Sequence, residues 1–163
     1  EDDQTGDDMY AVFNTKSSIK DGDTTVTKLV GLVDGADYTN TYYGTVTLAD
    51  YTVYKVVLSG DGTIKTLTPY ATTSALQAYV SAAAVTQAGV DGMIFTFTDG
   101  TKATASSDVV VYEAVQKVNN GGLDKYVKSS ITSIGSGDVV YMIETRTGTD
   151  IEGTANIVIF INN

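Results

Sequence analysis

Carboxylates and tyrosines are the residues of this chain that could do chemistry, and both kinds are clustered. The acids gather at predicted turns: Asp21 with Asp23, Asp34 with Asp37, Asp61, Asp91 with Asp99, and Asp150 with Glu152. Calcium takes roughly six to eight oxygen ligands and none of these turns has the spacing of a calcium-binding loop, so a site needs two or more of them to converge. Without convergence the same side chains form turns and carry solvated charge. Tyrosine is the other candidate, with 11 residues. Tyr42, Tyr43, Tyr51 and Tyr54 lie close enough in sequence to make a glycan-facing strip, in which ring faces pack on pyranose faces. Tyrosine is equally a good strand former, so the alternative for these four is core or rim.

Catalysis finds little footing. The chain has no histidine, cysteine or tryptophan, which removes the usual general base, the thiolate nucleophile and any disulfide. Two carboxylates can hydrolyse a glycoside, yet no pair stands out. Ser106-Ser107 and Ser129-Ser130 sit in predicted loops without a nucleophile motif. The chain reads as non-enzymatic. Its net charge of −10 and single arginine, Arg146, exclude nucleic acid as a partner, because phosphate contacts need clustered cations. No apolar run is long enough to cross a bilayer as a helix. The chain opens on EDDQTGDD rather than on a signal peptide, and reads as a mature secreted piece or an excised domain.

The elements that would position these side chains are strands. Hydrophobic residues make up 42% and charged residues 18% of the 163, enough for a core. Val, Ile, Tyr, Ala and Thr dominate, with one proline, Pro69, which is strand composition. Residues 90–112, VDGMIFTFTDGTKATASSDVVVY, read as strand, turn, strand, short break and strand. A two-residue loop at Asp99-Gly100 would set Lys102 opposite Phe97. A three-residue loop, Thr98-Asp99-Gly100, with Gly100 left-handed in a bulge, sets Phe97 against Thr101, Phe95 against Ala103 and Thr96 against Lys102. The second register is expected, because it gathers Met93, Phe95, Phe97, Ala103 and Ala105 on one face.

Taken in order, residues 1–8 read as a flexible acidic lead-in. Strands are expected over 9–20 and 24–33, turning at Asp21-Gly22-Asp23, and over 36–43 after Asp34-Gly35. Residues 45–58 load both faces as a central strand would; 63–67 return after Ser59-Gly60-Asp61-Gly62, and Pro69 closes a first module. Residues 74–87 fit a helix capped by Ser74, with Leu76, Tyr79, Val80 and Ala83 on one face. They also fit a strand from Tyr79, in which Tyr79, Ser81, Ala83 and Val85 alternate. Next come a strand over 109–118, the turn Asn119-Asn120-Gly121-Gly122, an irregular stretch over 123–137 and a strand from Asp138. The last strand, ANIVIFIN, is apolar on both faces and must be covered on both. The expected fold is all-β: two small antiparallel β-sandwich or barrel-like modules in tandem, over residues 9–70 and 79–163, joined by a linker at 71–78.

The order of these strands carries a resemblance. The run VDGMIFTFTDGTKATASSDVVVY followed by ITSIGSGDVVYMIETRTGTDIEGTANIVIFIN resembles the small β-modules found in tandem behind S-layer homology domains in bacterial surface-layer and cell-wall-anchored proteins. YAVFNTKSSIKDGDTTVTKLVGLVDG with YTVYKVVLSGDGTIKTL resembles the companion module. No S-layer homology domain lies within these residues, so the resemblance implies a distal piece of a longer protein. It implies a structural role in extracellular assembly at the bacterial cell surface or wall, with neighbouring modules or further copies of the chain as partners. It carries no catalytic motif. Lattice proteins of the resembled kind often use calcium, which keeps Asp21, Asp23, Asp150 and Glu152 as candidate metal ligands. The rival expectation is a carbohydrate-binding or adhesin module of a secreted multidomain protein, with cell-wall glycan as ligand.

Overall fold

Alternating β-branched and aromatic residues fold here into strand after strand. The computed structural model describes residues 9–70, 76–86, 92–118, 122–145 and 154–162. They fall into two units, Glu1–Ala71 and Thr72–Asn163, each built around a barrel-like ring.

The first unit contains β1 (Met9–Asp21), β2 (Thr24–Val33), β3 (Ala36–Tyr42), β4 (Tyr54–Leu58) and β5 (Ile64–Pro69). They close in the order β1-β2-β3-β5-β4, with β4 returning to β1 from Met9↔Val56 to Ala11↔Tyr54. Every contact is antiparallel except that of β3 with β5, which meet in parallel at Tyr42↔Ile64. Ala11, Phe13, Leu29, Tyr54, Val56 and Ile64 fill the interior. Between Phe13 and Thr15 the β1 register slips by one, leaving Asn14 as a bulge beside Gly31. A Cβ at Gly31 would lie 2.0 Å from the Val12 carbonyl oxygen, so no larger residue fits the bulge as it stands.

The continuous strand expected over 45–58 is corrected by the structure: ladder pairing starts only at Tyr54, and the preceding loop carries Tyr51 at φ 58. The apolar residues of that loop serve packing instead of a ladder. Val46 and Leu48 lie against the core, and the buried Tyr54 hydroxyl accepts from the Ala49 amide at 2.8 Å and donates to the Thr47 carbonyl at 3.3 Å.

The second unit contains β6 (Leu76–Thr86), β7 (Met93–Phe97), β8 (Lys102–Gln116), β9 (Leu123–Ser129), β10 (Val139–Ile143) and β11 (Thr154–Ile161). Their order is β11-β10-β6-β7-β8-β9, and a parallel pairing of β11 with β8 closes five of them into a ring. Setting β9 aside, the ring runs first, second, third, fifth, fourth in chain order, with one parallel contact between third and fifth. That is the plan of the first unit. Phe95, Phe97, Val140, Val158 and Phe160 fill it. β11 is paired on both sides and buried on both faces, Val158 and Phe160 on one and Ile157 and Ile159 on the other, as its apolar sequence requires.

Three sequence expectations change in this unit. β6 is a strand, the alternative that the alternation from Tyr79 supports, but it begins at Leu76, inside the stretch read as linker, because its backbone is taken up by β10 at Leu76–Tyr79 and by β7 at Val80–Thr86. The break at Ser106-Ser107-Asp108 does not end a strand; it is a bulge within β8, pinned by the Ser106 hydroxyl donating to Asp108 at 2.7 Å. The stretch read as irregular supplies β9, followed by a single 3-10 turn at Ile131–Ser133.

The hairpin at Phe97–Thr101 has the three-residue register: Phe95↔Ala103, Thr96↔Lys102, with Gly100 at φ +89. Its hydrogen bonds recur in the first unit. Phe97 N donates to Thr101 O and Gly100 N to Phe97 O, both at 2.9 Å; Ser59 N donates to Thr63 O at 2.8 Å and Gly62 N to Ser59 O at 3.0 Å, with Gly62 at φ +90. Both turns carry Asp-Gly-Thr. In each, one aspartate oxygen accepts from the threonine amide and hydroxyl, at 3.0 and 2.7 Å for Asp61 and at 2.9 and 2.6 Å for Asp99.

Candidate functional site

Three elements of the first barrel bring reactive side chains to one end. β1 ends on Asp21, the residue after β3 is Tyr43, and the β4–β5 turn carries Asp61. Tyr43 is 52% exposed, so its side chain is accessible to a ligand. Its hydroxyl donates to an Asp21 carboxylate oxygen. That hydrogen bond, with local desolvation and the negative charges of Asp21 and Asp61, pushes the phenol above its ordinary value. Asp61 is held below the usual carboxylate range by the Thr63 hydroxyl and amide. Asn40 fixes the spacing: its amide nitrogen donates to the Gly62 carbonyl and to the Tyr38 hydroxyl, both at 2.9 Å, tying β3 to the β4–β5 turn.

The four-tyrosine strip does not form. Tyr54 is 1% exposed in the core, where no glycan can stack on it. Tyr42 is half-buried, with Gly44 passing so close over its ring that a Cβ there would lie 2.5 Å away. Tyr51 is half-buried in the loop between β3 and β4. Tyr43 alone of the four is exposed. Of the calcium candidates, Asp150 and Glu152 lie outside the described residues. Asp21 and Asp23 flank Gly22 at an exposed turn, and Asp21 already accepts from Tyr43. Among the described residues no group of three His, Cys, Asp or Glu could hold a metal ion.

No protein-family model, curated protein or solved structure matches the chain. Function must therefore be argued from the molecule itself.

An exposed ring beside two carboxylates can stack on a sugar and accept its hydroxyls. Proton transfer is another matter: with its value raised, the Tyr43 phenol stays protonated at neutral pH and is no base. The serine pairs are tied into local turns, Ser106 to Asp108 and Ser130 to Thr132 at 2.8 Å. Sequence reasoning named Asp61 as a turn acid and passed over Asn40. The only signal for Asn40 was a lone amide in a threonine-rich strand.

Proposed function

We propose that this chain is a non-enzymatic structural segment of a bacterial surface-layer or cell-wall-associated protein, contributing to extracellular assembly. The observation that carries the proposal is the repetition of one ring plan in tandem, with acidic side chains spent on turns. Closure of each small barrel removes most of the sheet edges along which secreted β-proteins aggregate. A net charge of −10 keeps such a protein soluble during export. Its partners are neighbouring modules or further copies of the chain. The test is antibody labelling of intact source cells, with electron microscopy of the full-length parent. Surface labelling and ordered sheets or filaments are expected; a cytosolic protein that forms neither overturns the proposal.

A second function, a carbohydrate-binding or adhesin module, is favoured by Tyr43 with Asp21 and Asp61 around it. Titration with soluble wall glycans separates the two. Saturable binding lost in Tyr43→Ala would establish the glycan module, and no binding at millimolar glycan would remove it.

A further inference from the structure

We infer that β9 is a self-pairing edge, through which two copies of the chain join strand to strand about a two-fold axis. β9 is the one described strand of the second unit outside its ring. Its inner edge is hydrogen-bonded to β8 from Val111↔Ser129 to Gln116↔Leu123, and no described strand pairs with its outer edge. Asp124, Lys125 and Lys128 are exposed, while Tyr126 is buried at 3% and anchors the strand to the unit.

The occupant follows from the sequence of the edge itself. Placed antiparallel to its own copy and centred on Tyr126, LDKYVKS lies against itself with Asp124 of each copy facing Lys128 of the other. Other registers are poorer. A shift of one residue sets Lys125 opposite Lys128, and centring on Lys125 sets it opposite itself. Parallel pairing in register would oppose each lysine to its twin, so the antiparallel two-fold pair is favoured over it, and with its inner edge taken by β8 the strand offers no second edge for further growth. The register slip between Val115 and Gln116 makes Asp124 the bulged residue of β9. The regular intermolecular ladder therefore runs over Lys125–Val127, with Asp124 of each copy reaching Lys128 of the other at its two ends. Seven residues per copy bury less than a standard interface, so the dimer is weak and belongs to crowded or tethered settings. The inference stands on this edge alone and does not need the surface-layer proposal.

Sedimentation equilibrium of the whole chain, from micromolar to about millimolar concentration, tests it. A reversible monomer–dimer equilibrium is expected, with amides of residues 123–129 gaining protection from hydrogen exchange as concentration rises. Lys128→Asp and Asp124→Lys each place like charges opposite one another twice per dimer and should weaken it roughly tenfold. The double variant, Asp124→Lys with Lys128→Asp, restores opposite charges and should recover wild-type association. Far-UV circular dichroism confirms folding, which these exposed positions leave intact. A chain monomeric throughout, a dimer indifferent to the single changes, or a double variant as weak as the singles would each overturn the inference.

Discussion

Asp61 and Asp99 do the same work in two different hairpins, and both carboxyls are held below the usual carboxylate range, first by a threonine hydroxyl and then by its amide. A lowered folded-state value means the ionised form is favoured by folding. The stability it contributes is therefore present above the unfolded value, near pH 4, and is lost as pH falls through the folded one. Asp99→Ala should lower the melting temperature at pH 7, and the gap from wild type should close toward pH 2; thermal melts over that range check it. A gap that persists at pH 2 would assign the loss to packing within the turn rather than to the carboxylate. Glycines separate in the same way. Gly100→Ala meets open space and costs only its left-handed backbone, about 1 kcal/mol. Gly31→Ala drives a methyl group into the Val12 carbonyl and should cost about 2–4 kcal/mol by denaturant unfolding.

At the level of elements, what the sequence made legible was pattern with punctuation. The hairpin register at Phe97–Thr101 could be argued because the wrong loop length placed a lysine against phenyl rings, and the structure has the expected pairs. β11 was legible for a similar reason: no strand apolar on both faces survives at an exposed edge. The loop from β3 to β4 was misread because alternation reports burial and not hydrogen bonding; Val46 and Leu48 are half-buried without a ladder, held instead by the Tyr54 hydroxyl. β9 was missed because three of its seven residues are charged and its tyrosine alone is buried. At the candidate site, Tyr43 was legible as a type, but no residue pattern says which of four neighbouring tyrosines turns inward. Tyr54→Phe tests the loop's anchor. It removes two hydrogen bonds at the price of one oxygen, should destabilise by about 1–2 kcal/mol, and should speed amide exchange at Ala49.

For the whole molecule, the repeated ring plan is a property of backbone pairing that the side chains conceal. The first ring is filled by Phe13, Leu29, Tyr54 and Ile64, the second by Phe95, Phe97, Val158 and Phe160, so matching positions need not match in sequence. What must match is the crossover: a third strand left with one side open until the fifth arrives in parallel, while the fourth closes on the first. Each ring thus depends on its own late strand, and β11, the last to be made, completes the second. Phe160 is 1% exposed within that ring, so Phe160→Ala opens a cavity and should cost about 3–5 kcal/mol. Scanning calorimetry reads where that loss falls. With each ring cooperative in its own right, Phe160→Ala lowers one transition and Gly31→Ala the other. One transition moved by both changes would make the 163 residues a single cooperative unit.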